Sequence, residues 1–344
     1  MSVTVYDVAR KAGVSIATVS RVFANSELVT EKSRRKVLSA AEKLGFRLNQ
    51  SARRLAGSKS GLLGFVASQL RNPDYLEYFH TLESYARARG YEVLIADSEL
   101  SYEFEWANIE RMLKNQVEGL MIFPVSDILG EAPKMHRDRI KSLPVPCLML
   151  GHFKGTNWPA LTVDERQGAH ALAEGLYERG WRNVIFVTGD HASNRPAFER
   201  EDEFHKTWSK IGNSASSFQT IKVPELNEVV RIDEKSVAEI IRALKSAPSN
   251  TALVTVNAEA VFRLYGQLYD AGISISKDIA VASFGCSPLA TCFRPQVTLV
   301  EPNHLEIARA ASETLFQALS GKPTSSKMQL VPSTISWRES TNSK

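Results

Sequence analysis

The chain predicts an α/β protein with an all-helical head, and three observations carry that prediction. Within residues 1–60, two short amphipathic segments are joined by a glycine-bearing turn and followed by a third, the helix-turn-helix pattern. From residue 61 onward, short apolar runs alternate with helical patterns, as in parallel sheets buried on both faces. That alternation runs through one set and then restarts, which predicts two Rossmann-like lobes.

The head begins at Thr4, where a Thr followed three residues later by Asp7 forms a capping-box-like start. Val5, Val8, Ala9 and Ala12 then recur at helical spacing, and Gly13 ends the helix. After Gly13-Val14-Ser15 a second helix starts at Ile16 and runs to Phe23. Its Val19 and Val22 suit packing, whereas Ala17, Ser20 and Arg21 face away. Small residues let a helix sit deep in the major groove, and arginine forks onto guanine O6 and N7. Ile16 and Ala17 suit thymine methyls. A third helix follows Thr30-Glu31-Lys32-Ser33, with Val37, Leu38, Ala41 and Leu44 on one face and Gly45 at its end. This places a helix-turn-helix domain at 1–48.

Residues 49–60 open two readings. Asn49 to Ala56 is a run of helix formers too short to be stable alone, and Gly57-Ser58-Lys59-Ser60 has linker composition. The segment is either a plain linker or a helix that folds on DNA, with Leu55 as an apolar wedge in the minor groove.

In the body, 61–344, strands are predicted at 62–67, 92–96, 119–123 and 146–150, with helices over 76–89 and 104–116 between them. The second set has helices at 166–179, 199–211, 234–245 and 258–271, with strands at 184–187, 218–223, 252–256 and 279–283. The lobes are expected at about 61–160 with 296–325, and about 161–295 with 326–341. In such folds a ligand sits at the carboxyl ends of the strands, here in the cleft between lobes.

Composition bounds the function. The 344 residues are 43% hydrophobic and 23% charged, with a formal charge of +4. Residues 1–60 hold twelve basic residues against four acids, a net +8 that leaves −4 on the rest. A basic head on a mildly acidic body predicts a polyanionic partner. No apolar run approaches the ~18–20 residues of a membrane span, and the opening residues lack the features of a signal peptide. Three cysteines (Cys147, Cys286, Cys292) without a CxxC pair read as reduced thiols in a cytoplasmic protein. Catalytic signatures are missing from the sequence: no GxGxxG follows the first strand, and 57–60 lacks P-loop spacing. Gly285-Cys286-Ser287-Pro288-Leu289 lacks the closing glycine of GxSxG, and the seven histidines show no paired-ligand spacing. Neither an enzyme nor a metal or other cofactor is expected.

The run from Val5 to Val22, VYDVARKAGVSIATVSRV, closely resembles the LacI/GalR family of bacterial transcriptional regulators. So does Ser51-Ala52-Arg53-Arg54-Leu55, and Val331-Pro332 with Trp337 to Thr341 looks like the family's closing strand. The resemblance implies lobes of the periplasmic-binding-protein type and a homodimer on a pseudo-palindromic DNA operator in the bacterial nucleoid. It implies base reading by Ile16, Ala17 and Arg21, with Thr4, Tyr6, Ser15, Thr18, Ser20 and Asn25 on the same interface. It also favours a hinge helix carrying Ser51, Arg53 and Leu55. The tail after Thr341 is too short for a tetramerising heptad segment, so a dimer is expected.

For the cleft, the resemblance implies effector contacts at Asn72, Tyr75, Phe123, Asp164, Arg200, Asn257 and Phe284. Four positions depart from the family pattern: Ala258, Gly285, Glu203 and Pro302. A carboxylate at 285 would accept sugar hydroxyls, and glycine accepts none. The readings are a less hydroxylated or anionic effector, a displaced sugar site, or no small effector; a sugar derivative, acidic in character, is preferred. The expected function is a repressor of a carbohydrate-related operon. The alternative is a small-molecule-binding module that acts through protein partners with little DNA readout.

Overall fold

The computed structural model describes residues 3–23, 29–46, 60–189, 193–212, 216–226, 229–230 and 232–342. The chain divides into two compact units, 1–60 and 61–344. Asn25 and the hinge residues Ser51, Arg53 and Leu55 lie outside the described residues.

The head unit holds α1 (Val5–Ala12), α2 (Ile16–Phe23) and α3 (Glu31–Leu44). At its start the Thr4 N–H and hydroxyl both donate to Asp7 Oδ2, at 3.0 and 2.7 Å. Gly13 ends α1 at φ +64°, a left-handed turn that a β-carbon would strain. Ser15 caps α2, its Oγ accepting from the Thr18 N–H at 3.1 Å. The core joins Val8 and Ala12 to Val19, Val22, Val37 and Ala41. Leu38, expected on the inner face of α3, is 48% exposed. The buried set Val37, Ala40 and Ala41 defines the inward direction, and Leu38 lies one residue, about 100°, away from it.

The body contains two six-stranded sheets. The first has the order β13-β5-β4-β3-β1-β2. It comprises β1 (Leu62–Ala67), β2 (Glu92–Asp97), β3 (Gly119–Ile122), β4 (Cys147–Leu150), β5 (Ala160–Asp164) and β13 (Met328–Pro332), all parallel. The helices α4 (Pro73–Arg87), α5 (Tyr102–Lys114), α6 (Ser126–Leu129) and α7 (Lys134–Lys141) lie between its strands. The second sheet has the order β14-β12-β11-β10-β6-β7. Its strands are β6 (Asn183–Thr188), β7 (Ser217–Lys222), β10 (Thr251–Thr255), β11 (Ile279–Phe284), β12 (Thr298–Glu301) and β14 (Thr334–Ser336). With it go α8 (Glu165–Glu178), α9 (Arg195–Ile211), α10 (Glu234–Ser246) and α11 (Ala258–Asp270). A small antiparallel pair, β8 (Glu225–Leu226) and β9 (Val229–Val230), stands apart, and α12 (His304–Leu319) returns to pack on the first sheet.

Burial explains the strand readings. The central strands β1, β3, β4, β6, β10 and β11 are buried along their whole length. The edge strand β2 is not, and its Ile95 is 38% exposed. One strand departs from the parallel prediction: β14 pairs antiparallel with β12, Leu299 opposite Ser336.

The lobe boundaries differ from those read in the sequence. Residues 160–164 pair with β4 and β13, and so complete the first lobe instead of opening the second. β12 pairs with β11, which places 298–301 in the second lobe, whereas 328–332 belongs to the first. The chain therefore crosses between lobes at 164–165, at 302–303 and at Ser333. The third crossing is held by the Ser333 N–H donating to Gln167 Oε1 at 2.9 Å. No described helix is long and apolar enough to cross a membrane.

Candidate functional site

Two surfaces have the makings of a site. On α2, Val19 and Val22 are buried, while Ala17, Ser20 and Arg21 are exposed and Ile16 is 44% exposed. Arg21 makes no ion pair or hydrogen bond among the described residues, so its guanidinium is available as a donor fork. Tyr6 on α1 is 67% exposed. Thr4, Ser15 and Thr18 have their side chains engaged in local caps, which fixes the first turns of both helices.

The second surface is a cavity of about 220 Å³ between the lobes, lined at the carboxyl ends of strands from both sheets. Aromatic rings supply much of the wall. Phe123 meets Tyr75 edge-on at 4.7 Å and Tyr78 at 5.1 Å between centroids. Phe284 faces them from the other lobe, with the Arg200 guanidinium 5.4 Å from its centroid. The Tyr75 hydroxyl is tied to Ser68 Oγ at 2.6 Å. Tyr78 is 4% exposed, and its hydroxyl has no hydrogen-bond partner among the described residues.

Charge in the cleft is mostly committed. Arg200 donates to both oxygens of Glu165, at 2.7 and 2.8 Å, and to the Val256 carbonyl at 2.9 Å. At the lip, Arg195 donates to both oxygens of Asp127, at 2.6 and 2.9 Å, and to Thr162 Oγ1 at 3.1 Å. Asp74, at the start of α4, reaches across the cleft and accepts from the Cys286 N–H at 3.0 Å. Burial pushes its carboxyl up to about 6. His304 Nε2 lies 3.8 Å from Asp74 Oδ1, and that nitrogen has no hydrogen-bond partner among the described residues. Burial pushes this imidazole down to about 4, so it is neutral at physiological pH. Burial likewise pushes the Cys286 thiol up to about 12, which makes it a packing group rather than a nucleophile. Among the described residues no group of His, Cys, Asp or Glu is arranged to hold a metal.

Residues 4–49 match the bacterial regulatory proteins of the lacI family, and residues 173–341 match the periplasmic binding protein-like domain. The chain carries the DNA-binding domain of the lacI family. Its helical head makes it a DNA-binding transcriptional regulator, and its two-lobed body is of the ligand-binding type. It is 27% identical over 348 residues to catabolite control protein A of Priestia megaterium, covering 99% of this chain and 100% of the relative. The lac repressor dimer bound to operator and the anti-inducer ONPF shares the fold, with a TM-score of 0.81 at 22% identity over the whole of both chains. A LacI-type protein of Alkaliphilus metalliredigens complexed with D-xylulofuranose shares it over 83% of this chain and all of that one, with a TM-score of 0.68 at 18% identity.

Within this two-lobed body the cavity brings together Asn72, Tyr75, Phe123, Arg200, Asn257 and Phe284 of the expected effector set. Asp164 is not among the lining residues; its carboxylate caps α8 by accepting from the Gln167 N–H at 3.0 Å. Asn72 and Asn257 each use Oδ1 in a helix cap as well. Arg200, expected to offer forked bonds to an effector, is already forked onto Glu165. The residues missed by sequence reasoning include Asp74, Tyr78, Asp127, Glu165 and Glu259, all of which line the cavity. Asp74 and Glu165 each stand in the first turn of a helix, where an acid reads as a dipole partner and so gives no separate signal. The carboxylate absent at Gly285 is supplied from the opposite lobe: Asp74 Oδ2 lies 3.7 Å from where a Cβ on Gly285 would stand.

Proposed function

We propose that this chain is a cytoplasmic, homodimeric repressor that reads a pseudo-palindromic operator and is controlled by a small effector in the inter-lobe cleft. The exposed face of α2 carries this reading. A solvated helix would fill such a face with i,i+4 Glu/Lys pairs, and this one presents Ile16, Ala17, Ser20 and Arg21 instead. The hinge, 49–60, is the segment through which occupancy of the cleft would reach the head, with Leu55 as minor-groove wedge. Exposed apolar side chains on α4 and β2, Leu76 and Ile95, support a dimer through the first lobe. The sugar-bound and operator-bound neighbours support a carbohydrate-related operon as the target. Ligand-linked changes in lobe closure of ~1–3 kcal/mol would alter operator affinity by roughly 5–150-fold.

The test is a footprint of the purified protein on DNA upstream of its own gene. Two protected half-sites about one helical turn apart are expected. Loss of all sequence-selective protection would overturn the reading and favour a module that acts through protein partners.

A further inference from the structure

We propose that the cleft takes a small organic cation, a protonated amine on a ring-sized body, with Asp74 as its counter-charge and the aromatic wall as its platform. The proposal rests on the reading of the cleft as the effector site, and it replaces the acidic sugar derivative preferred from sequence.

Charge balance argues first. The two guanidinium groups at the cleft are each paired with carboxylates, Arg200 with Glu165 and Arg195 with Asp127 and Glu199. Two carboxylates remain. Asp74 Oδ2 has no hydrogen-bond partner among the described residues, and Glu259 has neither a hydrogen bond nor an ion pair there. The cavity lining thus sets Asp74, Glu165 and Glu259 against Arg200, and an anionic ligand would meet a surplus of carboxylates. Burial is the main cause that raises both carboxyls; Glu165 and Glu259 push Asp74 further up against the opposing Cys286 N–H and Arg200, while Arg263 opposes the rise at Glu259. An ammonium that donates to Asp74 offsets this desolvation.

The remaining polar atoms fit the same class. The Tyr78 hydroxyl and the Asn257 amide nitrogen are unpartnered on the wall, suited to one or two hydroxyls on the ligand body. Phe123 and Tyr78 line the cavity beside Phe284, whose ring already carries the Arg200 guanidinium, and aromatic rings attract a cation more strongly once water is excluded. At about 220 Å³ the cavity falls below the ~300–1,000 Å³ of pockets for drug-sized ligands, which limits the occupant to about one ring.

The experiment is calorimetric titration of the full chain near neutral pH with D-glucosamine, D-galactosamine, D-glucose, N-acetyl-D-glucosamine and D-glucuronate. At least one amine is expected to bind about tenfold or more tightly than both neutral sugars, with glucuronate weakest. Asp74→Asn should erase that preference, and Glu259→Gln should reduce it; a thermal melt of each variant checks that it folds. Equal or tighter binding of glucose or glucuronate overturns the amine while keeping the cleft as a sugar site. An amine preference that survives Asp74→Asn overturns the role of Asp74. If none of the five binds at millimolar concentration, the small-effector reading falls together with this proposal.

Discussion

Burial makes Asp74 a liability in the unliganded protein, and the cost has a definite pH dependence. Its carboxyl is raised from 3.8 to about 6, first by desolvation, with Glu165 and Glu259 adding to it and the Cys286 N–H and Arg200 opposing. A raised acid binds its proton more tightly when folded, so stability is greater below the ordinary carboxylate range and is lost as pH rises through about 6. Asp74→Asn should therefore stabilise the unliganded protein at neutral pH by about 1–3 kcal/mol and leave it unchanged near pH 3. Urea midpoints measured at both pH values check this. Arg21→Ala should cost about 1–3 kcal/mol of base discrimination while affinity for random DNA falls little, as read by competition binding. Arg21 was legible because an unpaired arginine on a small-residue face is a local pattern. Asp74 was not, because its partners Cys286 and His304 lie more than two hundred residues away in sequence.

Helix ends show where periodicity stops being informative. The pattern predicts 76–89 and 199–211, whereas α4 begins at Pro73 and α9 at Arg195. Both start at an Asn cap with proline in the first turn, where no apolar residue need recur yet. The helix interiors and C-termini, governed by burial, were read to within about two residues. β14 is three residues long and lies at a sheet edge, so little of its pairing is written locally. On α8, the C-terminal segment packs so closely that a β-carbon at Gly175 would run into the Trp337 ring, itself covered by the Arg179 guanidinium at 3.5 Å. Gly175→Val should lower stability by roughly 1–3 kcal/mol. The exposed Gly266 of α11 has open space around it, and Gly266→Ala should raise stability by about 0.5–1 kcal/mol. Denaturation of the two variants side by side separates crowding from helix propensity.

For the molecule as a whole, charge and closure are separate levers. The +8 head neutralises phosphates, so operator affinity should fall by roughly 10³–10⁵ between 50 and 200 mM salt if 6–10 phosphates are contacted. A titration across that range measures the slope. Arg195 and Asp127 are 19% and 12% exposed and join the lobes at the lip. Asp127→Ala leaves a half-buried guanidinium without its main partner, and should open the cleft and lower the urea midpoint. Small-angle scattering would show the larger radius of gyration. The two-lobed plan was legible because parallel sheets advertise themselves as repeated apolar runs. The places where the chain changes lobe were not, since Asp164-Glu165, Pro302 and Ser333 are single positions in otherwise continuous patterns. Those crossings also set a timetable. During synthesis the head emerges first and carries its own core, whereas the first sheet waits for β13 and the second for β14, the last strands to leave the ribosome. A nascent chain is therefore equipped to touch DNA before it is equipped to sense anything, and translation speed through residues 61–336 decides how long that interval lasts.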